Sequence, residues 1–386
     1  MELSTLLNSV IHGVWYYVVI FLLILTVVVF VHELGHFLVA RWNGVRVDVF
    51  SIGFGPEIWG WTDPKTGTRW RFSLVPLGGY VKFFGDADAA SATGDDRPMT
   101  DEEKAVSFQH KRVGQRAAVV FAGPAANFVF AILGLAGLFL VLGQPVTQPV
   151  IGSVQAGSAA EVAGLKTGDR IVAINGNAVA RFQDIQRIVR IEIERPLDLS
   201  VQRGAETFSV EAKPRVVQRK GVFGDMEKVP VLGISADPSS TRVISHSPGS
   251  ALMESLRETE GMIRSTFIGI GQMINGTRDS DELGGPIRIA KGAGEAAQLG
   301  LSSVVFYTIL LSLNLGLINL FPIPVLDGGH LVFYAFEAVL GRPLGERAQE
   351  YSFRVGLFLV LALMVFATRN DIVALPVWQV VKQLFS

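Results

Sequence analysis

Residues 14–36 read VWYYVVIFLLILTVVVFVHELGH, an apolar run from Val14 to Val31 that passes without a helix breaker into His32-Glu33-Leu34-Gly35-His36. A helix crossing a bilayer needs about 20 mostly apolar residues, so the stretch reads as a membrane span ending in ionisable groups. On a helix, positions i and i+4 share a face, so His32 and His36 can hold one metal ion, with Glu33 beside that face and within reach of a water. The plainer reading is an exposed helix end with incidental polar residues. Its location weakens that reading, because ionisable groups adjoining an apolar span are costly unless they serve a function. Met1 to Val14 contains no Lys or Arg, and no small-residue cleavage pattern follows the run, so the span is expected to be retained rather than removed as a signal peptide.

The rest of the chain repeats the apolar theme. Its 386 residues are 49% hydrophobic and 18% charged, with mean hydropathy +0.39, whereas soluble domains carry about a quarter charged residues. This composition excludes a mainly disordered chain. Three further stretches look able to span: Ala117 to Leu142, Ser302 to Phe321 and, shortest, Tyr351 to Ala367. His330 to Leu340 is apolar but too short to cross alone. The formal net charge of -1 supplies no basic field, and no nucleic acid is expected as a partner. There is no cysteine, which excludes disulfides, thiolate metal sites and cysteine nucleophiles.

Basic residues set the expected orientation. Arg41 and Arg46 follow the first span, Lys111, Arg112 and Arg116 precede the second, Arg342 and Arg347 lie between the third and fourth, and Arg354 stands at the start of the fourth. That places the N-terminus outside, residues 37–115 and 322–350 in the cytoplasm, and 144–300 outside.

Between the first two spans, Val45–Phe50, Arg69–Leu74 and Tyr80–Phe83 alternate in the manner of strands. They predict a small antiparallel sheet whose apolar content touches the membrane, with a glycine-rich corner at Gly53-Phe54-Gly55. Residues 86–104 are acidic and small, and are expected to form a mobile loop. Residues 148–236 read as a separate domain. A strand at Ile151–Val154 leads to a capped helix at Ser158–Leu165, then a strand and Asn175-Gly176 turn, a second helix near Phe182–Ile193, and strands at Leu197–Gln202 and Thr207–Ala212. This order resembles a PDZ domain, a peptide-binding module. Leu232-Gly233-Ile234 would form its carboxylate loop if the fold is circularly permuted. Gly261–Ile274 reads as an amphipathic helix lying along the outer membrane surface.

A catalytic zinc takes three protein ligands and keeps an open position. The third span descends in the same sense as the first and ends at Pro322-Ile323-Pro324-Val325-Leu326-Asp327-Gly328-Gly329-His330, so the two polar constellations share a depth. Asp327 and His330 are both candidates for the third ligand. Two glycines after Asp327 would let the backbone bring a short carboxylate close, although Asp327 could equally cap the helix that follows. For His330 a packing role is preferred. His12, His110 and His246 lie far from this depth and read as surface residues.

Together these pieces resemble the site-2 protease family of zinc intramembrane metalloproteases, and are similar in particular to the bacterial regulator-of-sigma-E proteases. The resemblance rests on His32–His36, Gly123-Pro124-Ala125-Ala126-Asn127-Phe128, the PDZ run, and Asn319 through His330, in the family order across nearly the whole chain. One departure is that residues 144–250 have room for a single PDZ domain rather than two. The resemblance implies one zinc ion per chain held by His32, His36 and Asp327, Glu33 as general base, and Asn314 and Asn319 as positioners of the substrate backbone. For the two asparagines, helix–helix hydrogen bonding is the bland alternative. The resemblance also implies a membrane-associated β-hairpin in which Gly53 and Gly55 hold an unwound substrate by strand addition.

The implied activity is zinc endopeptidase cleavage of single-span proteins within the bilayer of a bacterial inner membrane. The substrate would be a pre-trimmed anti-sigma factor, with remnant signal peptides as further substrates. The PDZ domain would act as a size filter or bind a peptide C-terminus. A non-proteolytic PDZ scaffold and a membrane metal transporter are the alternatives; a general base beside the first histidine argues against transport.

The expected fold is a multi-pass α-helical membrane protein of about four transmembrane helices, with a cytoplasmic membrane-associated β-hairpin region and an extracytoplasmic α+β PDZ domain. Its divisions are 1–44 with the first span, 45–115 as the cytoplasmic β-rich loop and acidic segment, and 116–143 as the second span. The PDZ domain follows at 144–240 and an amphipathic linker at 241–300. The third span and a short cytoplasmic helix occupy 301–350, and the fourth span and an amphipathic tail 351–386.

Overall fold

The computed structural model describes residues 3–86, 99–193, 195–220 and 226–374. In chain order the first elements are α1 (Leu3–Trp42), β1 (Val47–Thr62), β2 (Arg69–Phe83), α2 (Asp101–Val106) and α3 (Val113–Leu142). Next come β3 (Gln144–Thr147), β4 (Ile151–Val154), α4 (Ala159–Val162), β5 (Arg170–Ile174), β6 (Asn177–Ala178), α5 (Phe182–Ile191), β7 (Leu197–Arg203) and β8 (Glu206–Ala212). The chain continues with β9 (Arg215–Lys220), β10 (Met226–Val231), β11 (Ile234–Ala236), β12 (Thr241–Ile244) and α6 (Pro248–Ile274). It ends with α7 (Pro286–Gln298), α8 (Leu301–Asn319), α9 (Asp327–Leu340) and α10 (Glu346–Ala374). Among the described residues, four helices are long and apolar enough to cross a membrane: Trp15–Trp42, Val113–Leu142, Leu301–Asn319 and Arg347–Ala374. Each overlaps a stretch expected from the sequence. The fourth starts earlier than its apolar run because Arg354 and Glu350 pair one turn apart, and charged residues of this kind extend a helix without raising its hydropathy.

The chain divides into two compact units. The first comprises Met1–Gly134 and Gly284–Ile372. Its sheet shows why two long strands can serve as four. Segment 57–62 pairs with 69–73, 69–72 also pairs with 49–52, and 47–52 pairs in turn with 79–83. Gly53, at φ +89°, forms the corner, where a Cβ would meet the Ser73 and Val75 carbonyls at 2.9 Å. Gly79–Phe83 is left as an edge strand among the described residues. Phe50 is fully buried and stacks on Trp70 at 4.4 Å, with Phe37 of α1 edge-on to both. Away from this core the sheet exposes Phe54, Ile58, Trp59, Trp61, Leu74 and Leu77. Elsewhere in this unit, the Asp371 carboxylate accepts from the Gly285 and Arg288 amides at 2.9 and 3.0 Å, which ties α10 to the start of α7.

The second unit comprises Leu135–Leu283 and Val373–Ser386. Here β4, α4, β5, β6, α5, β7 and β8 follow in the order expected. Ser158 caps α4 through the Glu161 amide, and Asn175 and Gly176 both take positive φ in the β5–β6 turn, as an Asn-Gly hairpin requires. Leu197, Leu199 and Val201 are fully buried on alternate positions of β7, so one face of the strand meets the core. They pack with Ile151, Ile171, Ile174, Phe182 and Ile185.

Three sequence expectations change. The amphipathic helix expected at Gly261–Ile274 begins at Pro248, because Ser247 caps the Ser250 amide and proline is suited to the first turn. The loop expected over 86–104 contains helix α2 at its end, held by a capping box between Thr100 and Glu103, while 87–98 lie outside the described residues. The stretch after β8, not assigned strands from the sequence, forms the β9–β10 hairpin. The amphipathic tail expected at the C-terminus falls outside the described residues beyond Ala374, and so does the side chain of His12.

The second unit should respond to acid. The Asp169 side chain is 1% exposed and accepts from Arg203 Nε at 2.7 Å and Nη2 at 2.8 Å, and from the Lys166 amide at 2.8 Å. The Arg203 bonds, outweighing burial, hold its carboxyl below the usual carboxylate range. A carboxyl depressed on folding adds stability above its unfolded pKa of about 3.9 and loses it as pH falls through the folded value. Thermal unfolding below about pH 4 should therefore show a falling Tm, and Asp169→Asn should lower Tm at neutral pH and flatten the acid limb. An acid limb of unchanged slope in the variant would count against this carboxylate.

Candidate metal centre

Two glycines let α1 and α3 meet. A Cβ at Gly35 would lie 2.2 Å from the Ala122 carbonyl oxygen, and one at Gly123 would lie 2.2 Å from His36 Nε2. Only hydrogen at these positions leaves room for the backbone approach. His36 then turns Nδ1 to the Val119 carbonyl at 2.9 Å. The ring donates there, which leaves Nε2 with a free lone pair for a metal. His32 Nδ1 faces the Asn127 side-chain amide at 3.1 Å, and Ser312 Oγ lies 3.2 Å from Asn127 Oδ1. The hydroxyl both donates and accepts, so the amide can satisfy His32 in either tautomer.

The third group arrives through the turn after α8. Gly328 and Gly329 lie so close to the carbonyls of Phe321, Leu320 and Ile323 that a Cβ would fall within 2.2 to 2.5 Å of them. Val325 adopts φ +98°, a strained value for a β-branched residue of the kind that concentrates at functional sites. The result places Asp327 Oδ2 3.2 Å from His32 Nε2 and 3.6 Å from His36 Nε2, with the two imidazole nitrogens 3.2 Å apart. Asp327 Oδ2 is buried without a hydrogen-bond partner.

These observations test the fit of a metal. Bonds of about 2.0–2.1 Å at tetrahedral angles separate neighbouring ligand atoms by about 3.3 Å, close to the observed triangle. Zinc is also suited to two imidazoles and a carboxylate with a fourth position open, so the residues fit the ion. Burial opposes ionisation of Asp327, but His36 beside it and its contacts with both imidazoles hold the carboxyl below the usual carboxylate range.

A cavity of about 220 Å³ opens beside this triangle. Glu33 lines it next to the two histidines, and the backbone amide of Val81 donates to the Glu33 carboxylate. The edge strand supplies Gly79, Tyr80 and Val81 to the wall. His330 lines it too, but not as part of the triangle. Its ring packs 5.3 Å from Phe353, beside Phe333 and Tyr334, and burial pushes its pKa below the usual imidazole range. Of the two asparagines expected to position substrate, Asn319 has its Nδ2 3.3 Å from His32 Nε2; neither Asn319 nor Asn314 lines the cavity.

Gly53 and Gly55 are not brought there either; they shape the corner of the sheet whose far edge is. Sequence reasoning missed Gly79–Val81, for which the Gly78-Gly79 pair before a strand was the available signal. It also missed the pairing of Asn127 with His32. In the second unit, the Leu232 and Gly233 carbonyls accept from the Ala160 and Gln155 amides at 2.8 Å, and Gly233 takes φ +81° just before β11.

Comparisons with known proteins agree with this geometry. The sequence profile described as "Peptidase family M50" matches residues 20–363. A protein of Agrobacterium fabrum named "Putative zinc metalloprotease Atu1380" is 48% identical over 93% of this chain and 96% of its own length. "Metalloprotease MmpA" of Caulobacter vibrioides is 39% identical over 95% of this chain and 97% of its own. Among solved structures, the PDZ domain of an SdrC-like protein from Listeria monocytogenes covers 22% of this chain and 84% of its own, at 22% identity and a TM-score of 0.19, too low to carry an assignment.

Proposed function

The chain belongs to peptidase family M50 and is a zinc metalloprotease, and from that premise we propose that it cleaves single-span proteins within their transmembrane segments, using His32, His36 and Asp327 as zinc ligands and Glu33 as general base. The observation that carries this reading is the triangle of two imidazoles and a buried carboxylate oxygen beside both, with the two histidines inside the apolar helix Trp15–Trp42. Family membership removes the scaffold and the transporter as readings.

A zinc ion held by His32, His36 and Asp327 would supply Lewis-acid chemistry, polarising the scissile carbonyl and acidifying the attacking water. Glu33 takes that water's proton and delivers it to the leaving amine. The Val81 amide orients the Glu33 carboxylate, and the Val119 carbonyl fixes the ring of His36. Asn319 lies against His32 and offers an amide to the substrate backbone.

A substrate helix must unwind before its carbonyls can react, and the freed groups need partners inside a bilayer. The edge strand Gly79–Phe83 runs along the cavity wall and supports strand addition as the source of those partners. The exposed aromatic and aliphatic side chains around Trp59 and Leu74 support lipid contact for the rest of the sheet. In this reading Gly53 and Gly55 act by setting the sheet's corner.

We further place the chain in a bacterial inner membrane, with the active site toward the cytoplasm and residues 144–240 outside as a PDZ domain. That domain would screen substrates by size or hold a peptide C-terminus at Leu232-Gly233-Ile234. A clipped anti-sigma factor and remnant signal peptides are the proposed substrates.

The test is incubation of the purified chain in detergent with a single-span substrate, with and without a zinc chelator. Cleavage in the span that stops with chelator is expected; cleavage confined to extramembrane segments would overturn the intramembrane reading. Gly53→Ala should slow a helical substrate more than a flexible one of the same sequence length. Equal slowing of the two would count against strand addition.

A further inference from the structure

Helix α9 carries Asp327 and His330 three residues apart, so the two share a helix face, and both line the cavity beside His32 and His36. Asp327 belongs to the triangle proposed to hold the metal; His330 stays outside it. Aromatic packing accounts for where the His330 ring lies. Phe353 at 5.3 Å and Phe333 at 6.4 Å meet it edge-on, and Tyr334 tilts against it at 6.5 Å. Packing does not account for why the ring is an imidazole. A phenyl ring would fit the same company, and an N–H against an aromatic face gains little.

An imidazole carries an N–H in either neutral tautomer and in the charged form. Among the described residues, neither ring nitrogen of His330 makes a hydrogen bond within the protein. Polar groups in such surroundings are rarely left so, and one that is calls for a reason. The neighbouring polar side chains of the wall are engaged. Glu33 accepts from the Val81 amide, the Tyr80 hydroxyl accepts from Arg71, and the Tyr334 hydroxyl lies at Arg116. Gly79, Val81, Phe83, Phe108, Val120 and Val325 bring no polar side chain.

An unwound substrate segment carries carbonyls that have lost their helix partners, and inside a bilayer each needs a donor. A strand added to Gly79–Phe83 is paired along one edge, and its other edge keeps a row of open carbonyls. Resting on the intramembrane reading above, we propose that His330 is a substrate-contacting residue whose N–H donates to a main-chain carbonyl of the unwound segment, on the edge that the sheet leaves unpaired. The contact binds and orients the backbone. Because every peptide has such carbonyls, it adds affinity without selecting a sequence.

The full chain carrying Glu33→Gln, loaded with zinc in detergent, is expected to leave a substrate whole, so binding is read apart from hydrolysis. The probe is a labelled synthetic peptide with one leucine and alanine span of about 20 residues, broken by a central asparagine and glycine, followed by fluorescence anisotropy. In this background His330→Phe keeps an aromatic ring and removes the donor. His330→Asn and His330→Gln remove the ring and keep an amide N–H near the places of Nδ1 and Nε2. His330→Phe should raise the Kd about tenfold and leave zinc content unchanged. The better binder of His330→Asn and His330→Gln should stay within about threefold of the Glu33→Gln chain. A packing role alone requires the reverse order. Should His330→Phe fall short of the Tm of the Glu33→Gln chain, His330→Met serves as the variant without a donor, since methionine fills irregular gaps among aromatic rings.

Unweakened binding by the variant without a donor overturns the inference. So do equal weakening in all three variants, loss of zinc with His330→Phe, and absence of binding by the Glu33→Gln chain itself. The reading beneath it is checked separately with the unaltered chain, which should cut the same peptide within its span. Cutting only outside the span would overturn that reading, whatever His330 binds.

Discussion

Glu33→Gln is expected to abolish peptide hydrolysis while leaving the zinc content of the purified chain unchanged. The two roles proposed for this centre fall on different atoms. The triangle proposed to hold the metal is made by His32 Nε2, His36 Nε2 and Asp327 Oδ2, and Glu33 is not in it. Gln has the shape of Glu and keeps an oxygen that can accept from the Val81 amide, so the edge strand and α1 should hold their places. What it loses is the capacity to take a proton from water. General acid–base groups contribute on the order of 10²–10⁴ in rate, and the fall should lie at or beyond the upper end because the same group also protonates the amine. The measurement is cleavage of a single-span substrate alongside metal analysis of the same preparation. Full activity in the variant would remove Glu33 from the mechanism, and loss of zinc with activity would make it a ligand or a support for one.

The parts of this centre that sequence could reveal are those that depend on spacing along one element. His32 and His36 meet because a helix brings i and i+4 together, and α1 is helical through both. The four spans were legible because lipid selects composition rather than pattern, and the Asn175-Gly176 turn because its φ values demand those residues. The choice between Asp327 and His330 lay beyond spacing. It depends on how the Phe321–Leu326 turn folds over Gly328 and Gly329, and on the ring pocket of Phe333, Tyr334 and Phe353 that receives His330.

Tyr80–Phe83 reads as a strand in the sequence, but its place at the cavity was hidden for a related reason. Gly53 and Gly55 look like contact residues in the sequence, because glycine permits close approach. In the structure Gly53 approaches the Ser73 and Val75 carbonyls of its own sheet. The approach to Glu33 is made by Gly79, where a Cβ would stand 3.2 Å from Glu33 Cγ. Which glycine faces the site is set by a register that pairs 47–52 with two partners at once, and nothing local in β1 announces the second partner.

Asp327→Asn should then strip the chain of zinc, with affinity falling by at least about 100-fold, since losses of 10–100-fold already follow from altering groups one step removed from a metal. The side chain keeps its size, so the turn over Gly328 and the start of α9 should survive. The lost charge is the one that two buried imidazoles face, and an amide oxygen is a poorer donor to zinc than a carboxylate. The competing ligand is tested in the same experiment by His330→Phe. His330 sits 5.3 Å from the Phe353 ring and beside two more aromatic rings, where another aromatic side chain can be accommodated, so this variant should keep its zinc. Metal analysis after dialysis against a weak chelator reads both. Zinc lost from Asp327→Asn and retained in His330→Phe assigns the third position to the carboxylate. Zinc retained in Asp327→Asn and lost from His330→Phe would hand that position to the imidazole, and the orphaned oxygen at Asp327 would then need a different partner.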